Sequence, residues 1–201
     1  MTEPTNTQFP ALPAEAHGDW RIEFRQLPIL HRSHAYYVLI DPSGRAVEEL
    51  HGFGQSRNTN REMAMGMDGA RLVGARRPSN PLEEQEFDPR NKIGEVAIGP
   101  YREIVAGKWA RGLQAAEEIT RRNLDYKGDD VSYEVIGGDG GQIQNSNSAA
   151  YTYGKAMALD ADSKLREKGI ERRFVGWGRD VLDPNYRPYV APPVLANTIT
   201  P

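Results

Sequence analysis

One stretch constrains this chain more than any other: His34-Ala-Tyr-Tyr-Val-Leu-Ile40, then Asp41-Pro-Ser-Gly44, then Arg45-Ala-Val-Glu-Glu-Leu-His51. Aromatic and β-branched residues fill the first arm, which suits a pleated, half-buried surface. Proline fits the second position of a type I turn, aspartate the first, and glycine the place that follows. The pattern predicts a β-hairpin. If Pro42 and Ser43 are the two loop residues, His34 lies opposite His51. A glycine bulge at Gly44 shifts the pairing by one and sets His34 beside Gly52. In both registers the two imidazoles end near the same mouth of the hairpin.

Around this hairpin, 201 residues are enough for one substantial core. Trp20, Ile22 and Phe24 alternate with charged neighbours, the period-two mark of a half-buried strand. Residues 53 to about 92 show no sustained period and read as a long irregular connection, with one short strand near Arg71 to Val73. Lys92 to Ile98 reads as a strand, and Gly99-Pro100 punctuates the chain before a helix. Over Tyr101 to Asn123, Ile104, Val105, Trp109, Leu113, Ala116 and Ile119 make one face opposite Lys108, Arg111, Glu117 and Arg121. Tyr126 to Ile136 reads as loop then strand, and Gly137 to Gly141 as a flexible turn. That glycine run lacks the Gly-Lys-Ser/Thr of a phosphate loop, and a single copy builds no calcium repeat. A second helix is expected from Asn145–Asn147 to about Leu159. The expected organisation is a flexible arm over 1–18, a single α+β domain over 19–183, and a Pro-rich extended tail over 184–201. The domain would be an antiparallel sheet packed with two or three helices.

Composition removes several functions. A formal charge of -3 supplies no field for steering nucleic acid. No apolar run approaches the ~20 residues that span a bilayer. Without a basic, apolar leader, the expectation is a cytoplasmic chain or one exported by a non-classical route. Zero cysteines exclude disulfides, thiolate metal sites and a cysteine nucleophile. The four histidines, His17, His31, His34 and His51, show no zinc-binding spacing, so neither metal nor cofactor is expected. The carboxylate pairs Glu48-Glu49, Glu83-Glu84 and Glu117-Glu118 lie in strongly charged surroundings and read as solvated faces.

Chemistry is carried by Asn145-Ser146-Asn147-Ser148, four small hydrogen-bonding residues after a glycine turn and before Ala149-Ala150-Tyr151. On the first turn of a helix, backbone N–H groups lack intrahelical partners and the dipole favours developing negative charge. A nucleophile or an oxyanion is stabilised there. The same residues also cap helices for purely local reasons, so composition leaves both readings open. Tyr133 reads as a core aromatic or as a residue lining the cleft.

The order of these parts, a strand histidine in HAYYVLIDPSGRAVEELHG, a Trp-containing helix, SYEVIGG, NSNS opening a helix, and GWGRDVL, resembles a bacterial branch of the circularly permuted papain-like (NlpC/P60-related) proteins. The resemblance spans roughly residues 20 to 183 and implies a permuted papain-like fold. It gives His34 the histidine position, Ser146 the cysteine position and Asn145 the preceding asparagine, with Asn147 beside them. His51 or Glu49 would orient the imidazole. Serine standing for cysteine departs from the active pattern, because a hydroxyl depends on a well-placed base. Two expectations follow. One is an amide or peptide hydrolase acting on a peptide or cell-wall fragment. The other is an inactive binding module, or a secreted bacterial effector or its partner, using the same cleft to hold a protein.

Overall fold

Trp20, Ile22 and Phe24 are all buried on one side of a strand, as their alternation requires, and the rest of the sheet is laid down from there. The computed structural model describes residues 18–29, 32–63, 70–78, 88–128 and 143–190. Six strands form one antiparallel sheet: β1 (Trp20–Ile29), β2 (Arg32–Ile40), β3 (Ala46–Ser56), β4 (Glu62–Met63), β5 (Ala70–Pro78) and β6 (Lys92–Gly99). The order β6-β1-β2-β3 is continuous, and β3 also pairs with both β4 and β5. Among the described residues, three α-helices complete the fold: α1 (Ala106–Arg122), α2 (Ser146–Ala156) and α3 (Ala161–Lys168). A π-helical turn, Tyr101–Val105, leads into α1. The architecture is α+β.

The core lies between one sheet face and the helices. Ile22, Phe24, Tyr37, Leu39, Leu50 and Leu72 from the sheet meet Trp109, Ala116, Ile119, Ala150, Tyr153 and Leu165 from the helices. Strand alternation sends Tyr36, Val38 and Ile40 to the other face, where they form a smaller cluster with Leu27 and Ala46. The sheet comes close enough to α1 that a side chain at Gly74 has no room. A Cβ there would stand 2.5 Å from both the Cα and the carbonyl oxygen of Ala116, backbone atoms that cannot turn away. Gly74→Ala is therefore expected to cost about 3 kcal/mol, the upper end of ordinary overpacking. A lower urea midpoint with an unchanged m-value checks this.

Three expectations need correction, and one element was not anticipated. The hairpin forms, with Gly44 N–H donating to Asp41 C=O at 2.9 Å and Gly44 in the left-handed region at φ +87. Its register differs from both alternatives. Ile40 pairs with Ala46, an irregularity follows, and Leu39, Val38 and Tyr37 pair with Glu48, Glu49 and Leu50. The extra bulge brings His51 level with Tyr36 instead of His34. Among the described residues of 53 to 92, regular structure prevails over irregular chain. β3 runs on to Ser56, and β5 is nine residues long. Gly74, required by the contact with α1, dilutes the apolar alternation of β5. The second helix stops at Ala156, short of Leu159. Finally, the short α3 carries only Ala161 and Leu165 as buried residues, too thin a stripe to read as a helix. Tyr133, the Gly137 to Gly141 turn, His17 and His31 lie outside the described residues, as do most of the N-terminal arm and the end of the tail.

Candidate functional site

The hairpin and α2 meet where β2 leaves β3. Ladder pairing between the two strands ends at Tyr37 and Leu50, so the β2 backbone around His34 needs another partner on that edge. Asn147 supplies it. Its Oδ1 accepts from Ala35 N–H at 2.9 Å, and its Nδ2 donates to Ser33 C=O at 3.0 Å and to Val175 C=O at 3.1 Å. One carboxamide thus grips the chain on both sides of His34 and ties it to the first turn of α2.

The rest of the polar run explains itself in the same way. Asn145 is the N-cap of α2, its Oδ1 accepting from the N–H groups of Asn147 at 3.0 Å and Ser148 at 3.2 Å. Its Nδ2 donates to Val175 C=O at 3.0 Å. The Ser148 hydroxyl donates to Gly176 C=O at 2.9 Å and completes a capping box with Asn145. Three of the four residues are buried and spent on holding β2, α2 and the 175–176 loop together. Ser146 is the exception. It is half-buried, and its backbone N–H and its hydroxyl both face the phenol oxygen of Tyr126. Burial pushes the Tyr126 phenol above its ordinary pKa, against the pull of those two groups, so it stays protonated.

On the hairpin a linear chain of acid–base groups runs towards His34. His51 Nε2 lies 2.8 Å from Glu49 Oε2, and His51 Nδ1 lies 3.1 Å from His34 Nε2. The rings of Tyr36 and His51 stack at 4.6 Å, and those of His34 and His51 at 5.3 Å, nearly parallel in both cases. Glu49 and His51 are buried, while His34 is half-buried. Arg77 sits directly across the β3–β5 pair from Glu49, its guanidinium paired with Glu62 and lying over the Phe53 ring. With Glu49 ionised, the carboxylate only accepts, so His51 Nε2 would carry the proton, His51 Nδ1 would accept from His34 Nε2–H, and His34 Nδ1 would keep its lone pair. Burial drives the pKa of His34 down to about 3, with added repulsion from His51 and Arg77. Burial and Arg77 do the same to His51, also to about 3. Both imidazoles are neutral near pH 7.

His34, His51 and Glu49 come together on the sheet face that carries Tyr36, whereas Ser146 lies over Gly52 on the face that carries the helices, and Asn147 joins the edge of β2 to the start of α2. The Ser146 hydroxyl and the His34 ring do not share a hydrogen bond among the described residues; His34 is bonded to His51. Both orienting candidates are used, in series. Two features escaped the sequence. Tyr126 gave one indirect signal, because Gly54 within β3 marks a close approach and the Tyr126 ring packs on it at 3.3 Å from where a Cβ would be. The grip of Asn147 on β2 gave no signal at all. No group of three or more His, Cys, Asp or Glu side chains able to hold a metal ion occurs among the described residues, and no helix there is long and apolar enough to cross a membrane. No family model, no curated protein and no solved structure matches the chain.

Proposed function

We propose that this chain is an amide or peptide hydrolase of papain-like type, in which Ser146 is the nucleophile and His34 its base. What supports the reading is that Asn147, the residue beside Ser146, is bonded to the peptide groups on both sides of His34, whose Nε2 is engaged by the His51 and Glu49 series. In the reaction, Ser146 Oγ attacks the substrate carbonyl carbon as its proton passes to His34 Nδ1. Collapse of the tetrahedral intermediate breaks the C–N bond, and the same proton goes to the departing amine. Water then releases the acyl group by the reverse sequence. The carbonyl oxygen gains negative charge where Tyr126 O–H and Ser146 N–H now meet, and a single such donor is worth about 10²–10³ in rate. Substrates in keeping with this chemistry are peptides and cell-wall fragments.

A second reading is favoured by a different observation. Asn145 already occupies the N–H groups of Asn147 and Ser148, and Tyr126 faces that of Ser146. A helix start satisfied in this way suits a module that binds a peptide or protein in the cleft without turnover. A fluorophosphonate probe separates the two. The hydrolase is expected to be labelled at Ser146, with labelling abolished in Ser146→Ala. An unlabelled wild-type chain selects the binding module, and equal labelling of both proteins removes Ser146 from the reaction.

A further inference from the structure

We propose that the second face of the sheet is an interior surface, and that the segment crossing it is residues 79–87, between β5 and β6. The three described α-helices pack on the other face. The side away from them still holds its side chains out of water. Tyr36 and Val38 are 0% exposed, Ile40 3%, Glu49 2% and His51 4%. Pairing with Val38 and Tyr36 puts Glu23 and Arg25 of β1 on the same side, and both are buried. Apolar and ionised groups are shut off from solvent in this way only under a covering layer.

The topology names the segment. β5 lies beyond β3 at one edge of the sheet, and β6 lies beyond β1 at the other. Four antiparallel pairings, β6–β1, β1–β2, β2–β3 and β3–β5, make these two edge strands parallel. The link from Pro78 to Lys92 is therefore a crossover that passes over one face. Handedness decides which. Ala70 and Leu72 of β5 belong to the helix face, and their peptide groups turn outward, to Tyr126 N–H and Leu124 C=O. In a strand of L-residues running upward, the residues whose side chains face the viewer direct their peptide groups to the right. Viewed from the helices with β5 upward, the outer edge is on the right and β6 is on the left. A right-handed crossover to the left passes behind the sheet, over the face that carries Tyr36, and parallel crossovers are almost always right-handed. The crossing is about 19 Å wide, the width of four strand spacings. Extended chain covers about 3.3 Å per residue, so residues 79–91 have length to spare. Residues 79–87 lie outside the described residues, but their sequence suits that face. Ser79-Asn-Pro-Leu-Glu-Glu-Gln-Glu-Phe87 brings Leu82 and Phe87 to the cluster of Tyr36, Val38 and Ile40. It also brings Glu83, Glu84 and Glu86, with no basic residue, to a face whose cations are Arg25, Arg32 and Arg77.

The chain has no cysteine, so one introduced thiol reads the cover in the intact protein. Val38→Cys reports the second face and Ala115→Cys the helix face, each reacted with Ellman's reagent without denaturant. Both thiols are expected to react at least about a hundred-fold more slowly than in the urea-unfolded chain, since reaction waits for opening. Leu82→Asp combined with Phe87→Asp is expected to speed the thiol of Val38→Cys by about ten-fold or more and to leave that of Ala115→Cys unchanged. Where that chain does not fold, Leu82→Ala with Phe87→Ala carries the same expectation. Fast reaction of Val38→Cys in the otherwise unaltered chain overturns the proposal, because the face is then open. Equal acceleration of the two thiols overturns it too. Acceleration that requires removal of residues 2–17 gives the face to the N-terminal arm, and acceleration seen only on dilution gives it to a second copy of the chain. Either result takes residues 79–87 off it.

Discussion

On the proposed hydrolase reading, His34→Ala is expected to slow fluorophosphonate labelling of Ser146 by about 10²–10⁴-fold, the span that a positioned general base contributes. A serine hydroxyl has almost no alkoxide at neutral pH, so its attack depends on a group that takes the proton as the bond forms. His34 is the end of a hydrogen-bonded series whose other members are buried and fixed. Its removal takes away the accepting nitrogen and leaves His51 and Glu49 still paired with each other. The loss to stability is one hydrogen bond and two ring contacts, of the order of 1–2 kcal/mol. The rate, measured on protein shown to be folded by circular dichroism, therefore reports the base. A fall of less than ten-fold would assign proton removal to another group.

The second large effect is on stability in acid. Both imidazoles are held near 3 in the folded chain, first by burial, then by neighbouring positive or imidazole groups. In the unfolded chain each titrates near 6.5. A depressed histidine pKa means that the unfolded state takes up protons that the folded state refuses. The stability from neutral imidazole is complete above pH 6.5 and drains away as pH falls from there towards 3. At pH 5 the loss is about 2 kcal/mol for each histidine, from roughly 1.5 units at 1.36 kcal/mol per unit. Urea midpoints at pH 7.5 and pH 5 should differ by the sum for His34 and His51. His51→Asn is expected to remove about half of that difference, and an unchanged difference would place the acid sensitivity elsewhere.

What was readable in the sequence follows the range of the forces involved. The hairpin turn, the apolar face of α1 from Val105 to Ile119 and the asparagine cap of α2 are decided by residues within a few positions of one another, and all three form, although Ile104, expected on that face, is exposed in the π-helical turn. The register was not readable. It depends on a second irregularity between Leu39 and Ile40, which the turn chemistry around Gly44 does not announce. β5 was obscured by a glycine whose purpose is a contact with a helix about forty positions later. At the candidate site, Ser146 and His34 were legible as residue types able to react. The nitrogen left on His34 was not, because it is fixed by His51 and Glu49 only once the strands have paired. Tyr126 lay in a segment with no regular pattern, and its meeting with Ser146 is wholly tertiary.

The asparagine bridge has a consequence during synthesis. The amide of Ala35 waits for an acceptor 112 positions further on, and the carbonyl of Ser33 for a donor 114 positions on. At about 5–20 residues per second a ribosome needs roughly 6–20 s to deliver residue 147 after residue 35. Throughout that interval half of the second strand is an open edge beside two imidazoles and a run of tyrosines, a template for joining a neighbouring nascent chain. Yield of this protein should accordingly depend on holdase chaperones more than its modest size suggests, and fragments ending before the second helix should collect as aggregates.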